Sequence, residues 1–315
     1  MKIAILESLG ISDSKLNELK KPFEEDGHTF EIYERTSEVE TLKEEIQDVD
    51  VAIIANMPFS NEVISSSDTL KFIDVAFTGV DHVGLDACKE KDIKVSNASG
   101  YSNEAVAELV IGMILSKIRY LREVEVLCRN GQTKEKYIGQ EIKGKTVGII
   151  GLGKIGRRSA ELLDAFGANV IACNSKPIEE CPPYVVERSL EDLLKESDIV
   201  ILHCPLNEST RNLIDKDKLA MMKKSALLVN VARGPVVNAK DLKKALEKGV
   251  IAGACVDVFD QEPPLPSDDP ILNSPNTLLT PHVAFASQES MILRAEIVFE
   301  NLRNWLNDNQ QNIIL

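Results

Sequence analysis

The sequence predicts an α/β fold of two units, each built around a parallel β-sheet. Short apolar runs rich in β-branched residues alternate with amphipathic helical patterns along the chain, an alternation typical of strand–helix–strand crossovers. The chain has 315 residues, of which 43% are apolar, so it is long enough for two domains with separate cores. A glycine-rich turn between a strand pattern and a helix pattern, near the middle of the chain, supports the same class.

The first unit contains four predicted strands and ends near residue 100. Charged amphipathic segments separate the strands and predict the helices that cover them. A single long helix is predicted after residue 285, and we expect it to return to this first unit. The predicted division is therefore 1–100 with 285–315 for one domain, and 101–284 for the other. The strand segments are KIAIL (2–6), VDVAIIAN (49–56), FIDVAFTG (72–79) and IKVSNA (93–98).

A long apolar-periodic segment follows the first unit, YSNEAVAELVIGMILSKIRYLREVEVLCRNG (101–131). Apolar residues at 106, 109, 110, 113 and 114, continued by Ile118 and Leu121, predict one continuous helix. Ser102 or Asn103 can cap its start, and RNGQ is expected to end it. We interpret a helix of this length between two units as a hinge or a dimer element, and a plain core helix is the alternative.

The second unit contains six predicted strands. Helical stretches such as RRSAELLDAFG and NAKDLKKALEKG lie between them, and Gly249 follows the latter at a position where helices commonly end. The repeated order of strand and helix predicts a parallel sheet. The strand segments are TVGIIGLG (146–153), NVIACN (169–174), DIVILHCP (198–205), ALLVNVA (226–232), GACVDVF (253–259) and TLLTPHVAF (277–285).

Charge and composition disfavour several classes of partner. The net charge is −14, and an acidic surface repels nucleic acid and anionic membranes. The sequence has no apolar run near the roughly 20 residues of a membrane span, and its start is typical of a strand rather than of a signal peptide. The 6 cysteines lack C-x-x-C spacing, and with the 4 histidines they form no ligand cluster. We therefore expect a cytoplasmic protein with buried thiols, no metal, and no nucleic-acid or membrane partner.

The segment GLGKIG (151–156) matches the pattern G-x-G-x-x-G. It directly follows the strand pattern TVGII and opens a helix pattern, which is the context in which this motif binds a dinucleotide. Gly151 permits the tight turn, Gly153 lets the backbone approach a pyrophosphate, and Gly156 allows the helix to pack on the strand. Amides at the helix start, at Lys154 and Ile155, then face the phosphates. A tight turn without a ligand is the alternative, but the context favours a Rossmann-type dinucleotide unit.

The residue expected to bind the ribose departs from the usual pattern. An acid normally ends the second strand, about 20 residues after the glycines, and accepts hydrogen bonds from the ribose of NAD. Here the strand ends in Asn174, followed by Ser175 and Lys176. Asn174 has no charge to repel a 2′-phosphate, Ser175 can donate a hydrogen bond to it, and Lys176 adds a cation. The sequence therefore favours NADPH moderately over NADH, and an exposed turn that accepts both cofactors is the alternative.

Polar residues follow three later strands at or just beyond their carboxyl ends. Arg233 follows LLVNVA, Asp257 and Glu262 follow GACV, and His282 follows TLLTP. In an open α/β sheet, ligands bind outside the carboxyl ends of the strands, so we expect these side chains to face the nicotinamide end of the cofactor. A lone histidine or arginine in such a place is more often structural. Their joint occurrence after a nucleotide turn favours a catalytic site.

These blocks, in this order, resemble the D-isomer-specific 2-hydroxyacid dehydrogenase family over nearly the whole chain. The resemblance is densest from 97 to 290 and is carried by GKTVGIIGLGKIG, SDIVILHCPLNESTRNLI, LLVNVARGPVVN, DVFDQEP and TPHVAF. It implies NAD(P)H as the cofactor, a small 2-keto or 2-hydroxy acid as the substrate and, usually, a homodimer. It also implies that the Rossmann-type doubly wound parallel sheet is combined with a flavodoxin-like α/β substrate domain (1–100 and 285–315).

The resemblance further implies roles for individual residues of this chain. Arg233, Glu262 and His282 would form the catalytic trio, and Asp257 would contact the nicotinamide amide. The loop Thr78-Gly79-Val80-Asp81 would offer backbone N–H groups to the substrate carboxylate, and Arg233 and His282 would also bind the substrate. The implied cofactor contacts are Val106, Gly151, Gly153, Lys154, Ile155, Gly156, Asn174, Ser175, Lys176, Cys204, Pro205, Thr210, Val231, Ala232, Arg233, Asp257 and His282.

The types of these residues suit the reduction of a 2-keto acid. Hydride transfer leaves charge on the carbonyl oxygen, and His282 can protonate it because imidazole titrates near neutrality. A carboxylate beside the ring, with Glu262 as the candidate, would orient it and favour the imidazolium. The Arg233 guanidinium can fork onto the substrate carboxylate and polarise the adjacent carbonyl. In the oxidation direction neutral His282 would act as the base.

The resemblance leaves a second function open. Some relatives, the C-terminal-binding corepressors, keep such a site and act mainly as cofactor-sensing binding proteins. Loss of NAD(P)H absorbance that depends on a 2-keto acid distinguishes the two functions. We expect the substrate side chain to lie near Asn56, Met57, Phe59 and Phe285. The absence of Lys and Arg from 44 to 70 disfavours a phosphorylated substrate, but glyoxylate, hydroxypyruvate, pyruvate and bulkier keto acids are not distinguished.

Overall fold

The structure is a computed structural model that describes residues 1–134, 136–178, 180–261 and 265–315. The chain divides into two compact units, a first unit of Met1–Ser102 with Ala286–Leu315 and a second unit of Asn103–Phe285. These limits lie close to the predicted ones at 100 and 285, and the roles given to the two domains stay predictions. None of the helices in the described ranges is both long enough and apolar enough to span a membrane.

The elements below are numbered in chain order. The strands are β1 (Lys2–Ile5), β2 (Thr29–Ile32), β3 (Val51–Ile54), β4 (Phe72–Val75), β5 (Lys94–Asn97), β6 (Thr146–Ile150), β7 (Asn169–Cys173), β8 (Val185–Glu187), β9 (Ile199–Leu202), β10 (Leu227–Asn230), β11 (Gly253–Val256) and β12 (Thr277–Leu279). The helices are α1 (Asp13–Glu25), α2 (Val39–Glu45), α3 (Asn61–Ser66), α4 (Leu85–Glu90), α5 (Asn103–Ile118), α6 (Leu121–Arg129), α7 (Lys154–Ala165), α8 (Leu190–Glu196), α9 (Lys216–Met221), α10 (Ala239–Glu247) and α11 (Gln288–Leu306). A short 3₁₀ helix covers Gly234–Val236.

In the described residues, the first unit holds a parallel five-stranded sheet in the order β2-β1-β3-β4-β5. This is the strand order of flavodoxin-like folds. The long helix α11 begins after Ser287, whose hydroxyl accepts a hydrogen bond from the Ser290 amide in a capping box. The helix packs against α1, β4 and β5. The chain then returns along the sheet edge, where Ile313 forms an antiparallel bridge with Ser96 of β5.

The second unit, over the same described residues, holds a parallel seven-stranded sheet in the order β12-β11-β10-β9-β6-β7-β8. With β6 counted as the first strand, this is the Rossmann order 3-2-1-4-5-6 with β12 added at one edge. The order reverses between β6 and β9, which are direct neighbours. A dinucleotide binds across the crevice at such a reversal, so the topology places the predicted nucleotide site at the carboxyl end of β6.

Alternate residues of these strands face two separate hydrophobic cores. Ile149 and Val229 belong to the core that includes residues of α5 and α7. Ile150 follows Ile149, and Leu228 precedes Val229. Both belong to the core that includes residues of α8, α9 and α10. Because side chains along a strand alternate between its faces, helices cover both faces of the sheet. The predicted α/β class, with a doubly wound parallel Rossmann-type sheet, is therefore confirmed.

Two strands escaped the sequence prediction, and both lie at sheet edges. β2 at Thr29–Ile32 has no fully buried residue, and β8 at Val185–Glu187 is three residues long with only Val185 buried. An edge strand of this kind needs few apolar residues, so its sequence carries no apolar run. The strands in the sheet centres, which are covered on both faces, were all predicted from the sequence.

The continuous helix predicted over 101–131 is wrong. The structure breaks it into α5 and α6 at Tyr120, whose φ of +55° is left-handed. The segment that returns after α6 occupies the break: the Gln140 N–H donates to the Ile118 carbonyl at 2.9 Å, the group that the next helical turn would have used. The Tyr137 ring also packs on that of Tyr120, with centroids 5.4 Å apart. The periodicity was correct on both sides, but the partners of the break come from later in the chain.

Candidate active site

The candidate site of the second unit lies along one edge of its sheet. Because all strands are parallel, their carboxyl ends share this edge, which we call the carboxyl edge. Register places Ile150, Cys173 and Leu202 side by side at the ends of β6, β7 and β9. The predicted functional residues follow the strand ends in this order: the glycine turn after β6, Asn174 after β7, Cys204 after β9, Arg233 after β10, Asp257 after β11 and His282 after β12.

The geometry of the turn between β6 and α7 accounts for glycine at each of its three glycine positions. Gly151 has a φ of +100°, and a Cβ there would lie 2.7 Å from the Cys204 amide nitrogen. A Cβ on Gly156 would lie 2.2 Å from the Gly151 carbonyl oxygen, so the helix could not pack this closely on the turn. Gly153, by contrast, is the N-cap of α7, and a Cβ there would meet no atom within 4 Å. The open space above Gly153 and the helix start suit a pyrophosphate.

Substitution of Gly153 and Gly156 is expected to separate folding from cofactor binding. Gly156→Ala should lower the free energy of unfolding by roughly 1–3 kcal/mol, because the new methyl group meets rigid backbone. Gly153→Ala should leave stability unchanged and raise the Kd for the dinucleotide, because the methyl group enters the space reserved for the phosphates. Urea unfolding and fluorescence titration with NADPH measure the two effects. Equal stability of both variants, or unchanged affinity of Gly153→Ala, would contradict this account of the turn.

A cavity of about 560 Å³ opens beside this turn at the carboxyl ends of β6, β7 and β9. Its size lies in the usual range for small-molecule sites, roughly 300–1,000 Å³. No carboxylate occurs among its described lining residues, and Lys176 supplies a cation. The lining comprises Ile150, Gly151, Gly153, Cys173, Asn174, Ser175, Lys176, Leu190, His203, Cys204, Pro205, Asn207, Ser209, Thr210 and Leu213. Six residues predicted to bind the cofactor beyond the glycines are thus brought together here: Asn174, Ser175, Lys176, Cys204, Pro205 and Thr210.

Asn174 also shapes the turn. Its Oδ1 accepts a hydrogen bond from the Leu152 N–H at 2.6 Å. This bond uses the oxygen of the carboxamide, so the Nδ2 group is the part that remains to donate. A donor suits an oxygen of a ribose or of a 2′-phosphate, whereas the aspartate usual at this position accepts from ribose hydroxyls. The exposed Ser175 and Lys176 follow directly.

The sequence did not predict a role for His203, which lines the same cavity. Its ring nitrogen Nε2 lies 2.9 Å from the hydroxyl of Ser159 on α7. Burial lowers the pKa of His203 to about 4, so the ring is neutral at pH 7. Burial also raises the pKa of the neighbouring Cys204 thiol to about 11. The wall of the cavity on the β9 side is therefore uncharged. The sequence signal for His203 was its place in the segment HCP, at the end of a predicted strand.

Arg233 lies in a tightly built turn after β10. The buried Asn230 side chain spans the turn: Nδ2 donates to the Arg233 carbonyl at 3.0 Å, and Oδ1 accepts from the Ala232 N–H at 3.1 Å. The Arg233 guanidinium donates from Nη1 to the Ala232 carbonyl at 2.8 Å. A Cβ on the next residue, Gly234, would lie 1.9 Å from the Phe259 backbone. The backbone that carries the guanidinium is thus held on both sides, and the side chain itself is half-buried.

Asp257 and His282 form one arrangement at the ends of β11 and β12. His282 has a left-handed φ of +54°, and its N–H donates to the Asp257 carbonyl at 2.7 Å. The fully buried Asp257 carboxylate accepts hydrogen bonds from the Thr280 hydroxyl and from the N–H groups of Val283 and Ala284, the latter two at 2.9 Å. These contacts fix the strained turn that presents His282. The predicted contact of Asp257 with the nicotinamide stays a prediction.

The imidazole of His282 is half-buried and lies edge-on to Phe285, with ring centroids 5.5 Å apart. Glu262, the third member of the predicted trio, lies outside the described residues. Val106, Val231 and Ala232 are buried among core residues, and Lys154 and Ile155 form the first turn of α7. Their predicted contacts with the cofactor stay predictions.

The loop predicted to bind the substrate carboxylate belongs to the first unit. Thr78, Gly79 and Val80 follow the carboxyl end of β4 and are half-buried. The expected position of the substrate side chain near Met57 and Phe59 does not agree with the structure, because both side chains are fully buried in the first unit. Their apolar character serves that core. Asn56 is half-buried, and its place beside the substrate stays a prediction.

Comparisons with known proteins place these features in a family context. The sequence profile of the D-isomer specific 2-hydroxyacid dehydrogenase, NAD binding domain, matches residues 111–284. A glyoxylate reductase from Thermofilum pendens is 37% identical over 272 residues, which are 84% of this chain and 80% of that protein.

Two solved structures are similar to this chain over nearly its full length. An acyclic imino acid reductase, Bsp5, in complex with NADPH and D-Arg, superposes with a TM-score of 0.91 at 28% identity and covers 100% of both chains. The D-lactate dehydrogenase from Aquifex aeolicus, complexed with NAD and lactic acid, gives a TM-score of 0.87 at 26% identity and covers 98% of this chain and 96% of that one.

Proposed function

Because the chain belongs to the D-isomer specific 2-hydroxyacid dehydrogenase family, we propose that it interconverts a small 2-keto acid and its D-2-hydroxy acid with His282 as acid and base. The reaction class is that of a nicotinamide-dependent oxidoreductase acting on 2-hydroxy acids. The observation that carries the assignment to His282 is its anchored backbone. Asp257, which follows the neighbouring strand β11, holds the left-handed turn after β12, an arrangement whose strain suggests a functional role.

The protein's own groups have separate tasks in this reaction. The nicotinamide, when bound, supplies the hydride. His282 protonates the carbonyl oxygen during reduction and takes the proton back during oxidation. Arg233 binds the substrate carboxylate and polarises the carbonyl beside it. Glu262 orients the His282 ring and favours its charged form. The N–H groups of the loop Thr78-Gly79-Val80 bind the substrate carboxylate.

The cofactor site has the features that a dinucleotide requires. Space above Gly153, the N-terminus of a twelve-residue helix and a cavity of about 560 Å³ occur together at the reversal of the strand order. We place the pyrophosphate at Gly153, Lys154 and Ile155. We place the adenosine in the cavity, with the Asn174 amide, Ser175 and Lys176 at its 2′ position.

This placement supports a moderate preference for NADPH. The described lining offers a donor amide, a hydroxyl and an ammonium group where an NAD enzyme places a carboxylate. Lys176 is a point charge rather than the fork that arginine would supply, which limits the preference. The relative with the TM-score of 0.91 is itself a complex with NADPH.

Introduction of a negative charge at residue 174 tests the cofactor proposal. Asn174→Asp should lower kcat/KM with NADPH roughly 10- to 100-fold by repulsion of the 2′-phosphate and spare NADH. The carboxylate can still accept from the Leu152 N–H, so the glycine turn is kept. Lys176→Ala should weaken NADPH use alone. Asn169→Asp, which adds the same charge at the amino end of β7, is the control. A wild-type enzyme that strongly favours NADH, with NADPH use unchanged in Lys176→Ala, would contradict the proposal.

A substrate panel with both reduced cofactors tests the reaction itself. Glyoxylate, hydroxypyruvate, pyruvate and bulkier 2-keto acids are the candidates. We expect turnover of at least one of them and weak use of phosphorylated acids. Cofactor binding without turnover of any 2-keto acid would instead favour the cofactor-sensing role of the corepressor-like relatives.

We propose further that the protein is a homodimer, as the resemblance implies. Helix α6 supports this: it has no buried residue, and Leu121 and Val126 are 50% and 56% exposed. Exposed apolar side chains of this kind stabilise an assembly when the surface of a second protein covers them. The cytoplasmic location stays a prediction from the sequence.

A further inference from the structure

We propose that Asn97 is a positioning residue for the substrate: it holds the Thr78 carbonyl so that the Gly79 N–H points at the substrate carboxylate. This inference rests on the proposed role of the loop Thr78-Gly79-Val80. It adds Asn97, a residue of the neighbouring strand β5 whose side chain donates a hydrogen bond to the loop backbone. No motif in the sequence singled out Asn97 for this task.

The contacts of Asn97 are specific at both ends of its carboxamide. Asn97 is the last residue of β5 and pairs in register with Val75, the last residue of β4. Its Nδ2 donates to the Thr78 carbonyl at 2.7 Å, and its Oδ1 accepts from the Ser99 N–H at 3.2 Å. The two partners fix which end is which, because a rotated amide would set oxygen against oxygen and nitrogen against N–H. The side chain is 7% exposed, so water competes little for these bonds.

The geometry of the peptide bond turns this contact into a functional one. The Thr78 carbonyl and the Gly79 N–H belong to the same peptide unit, which is planar, and in the trans form the two groups point in opposite directions. A donor that holds the carbonyl on one side therefore directs the N–H to the other side. The hydrogen bond to the carbonyl also polarises the peptide unit and makes its N–H a stronger donor. Asn97 thus orients the Gly79 N–H and strengthens it.

A buried polar network holds Asn97 itself in place. Asn301 of α11 donates to the Asn97 backbone carbonyl and to Asp74 Oδ1, each at 3.0 Å. Asn312 donates to Asn301 Oδ1 at 2.8 Å. Asp74 is fully buried, and burial raises its pKa well above the usual range for aspartate. Polar groups buried to this degree are costly unless they are bonded. The network spans three elements of the first unit and ends on the loop carbonyl.

Asn97→Asp is the most direct test, because it keeps the shape of the side chain and replaces the donor by a carboxylate. The carboxylate repels the Thr78 carbonyl, so the peptide unit loses its orientation. The KM for the best 2-keto acid should rise roughly 10- to 100-fold, the worth of a hydrogen bond to a charged group. The kcat should change less, because the substrate carboxylate is bound in the ground state and in the transition state alike. The Kd for NADPH should not change.

The pH dependence separates positioning from general damage. When the carboxyl group introduced by Asn97→Asp is protonated, its O–H can donate to the Thr78 carbonyl again. The ratio of the variant's KM to that of the wild type should therefore fall toward 1 as the pH is lowered. Asn97→Ala should show the raised KM without this recovery, and it decides the matter if Asn97→Asp does not fold. Asn312→Ala, at the far end of the same network, should lower the Tm and leave the KM unchanged.

The outcomes distinguish this inference from the proposed function. A wild-type protein that reduces no 2-keto acid would overturn the proposed function and this inference with it. A wild-type protein that turns over a 2-keto acid, with folded Asn97→Asp and Asn97→Ala at the wild-type KM, would overturn the role of Asn97 alone. The same holds if Asn312→Ala raises the KM as much as Asn97→Asp does, because the effect would then come from the network in general.

Discussion

His282→Ala is expected to lower kcat for reduction of a 2-keto acid by roughly 10²- to 10⁴-fold, the usual worth of a positioned general acid. The loss follows because no other group then protonates the carbonyl oxygen as the hydride arrives. The backbone contact of His282 with Asp257 does not involve the imidazole, so the turn and the Kd for NADPH should be kept. Steady-state kinetics with saturating cofactor, together with a fluorescence titration of NADPH, measure the two quantities.

The matched control is His28→Ala, which removes a histidine from the first unit next to the N-terminus. It should have wild-type kcat. If His282→Ala retained wild-type turnover, the acid would have to be another group, and the strained turn at residue 282 would have a structural purpose only.

Arg233→Lys is expected to lower kcat/KM for the 2-keto acid by roughly 10²-fold although the charge is kept, since a charge-assisted two-point contact is worth about 1.5–3 kcal/mol. One N–H group of the guanidinium donates to the Ala232 carbonyl, which fixes the plane in which the guanidinium meets the substrate. An ammonium group at the end of a flexible stem cannot keep both contacts in one orientation. Initial rates over a range of substrate concentrations give kcat/KM directly.

Arg188→Lys is the matched control for this change, because Arg188 follows the edge strand β8, which three strands separate from β10, and it pairs with Glu196 at 3.1 Å. It should have wild-type kinetics. An Arg233→Lys enzyme as active as the wild type would show that residue 233 contributes only a positive charge.

The sequence predicted the architecture because the central strands of both sheets are buried on both faces. β3, β4, β9 and β10 consist of buried residues throughout, and such strands read as continuous apolar runs. The edge strand β2 buries much less, so its sequence carried no comparable signal. The two halves of the broken helix show the same limit: each half has helical periodicity, but Tyr120 turns left-handed through contacts with residues near 137–140.

The candidate site followed from the sequence for a related reason. In a parallel sheet the residues after each strand come together at one edge whatever their separation in the chain. The positions of Arg233, Asp257 and His282 were therefore predictable from their strands alone. The assignment of Met57 and Phe59 to the substrate had no such support, since apolar residues near a strand end serve a core as readily as a pocket.

By itself, then, the sequence determined the strand and helix order, the glycine turn and the residue types at the carboxyl edge, because these depend on neighbours in the chain. Only the tertiary structure decided what holds those residues. The Asp257 carboxylate bonds groups 26 and 27 residues away, Asn174 bonds an amide 22 residues before it, and Asn301 bonds the Asn97 carbonyl across 204 residues. Such bonds form where packed elements bring a donor to an acceptor, and no local periodicity encodes that meeting.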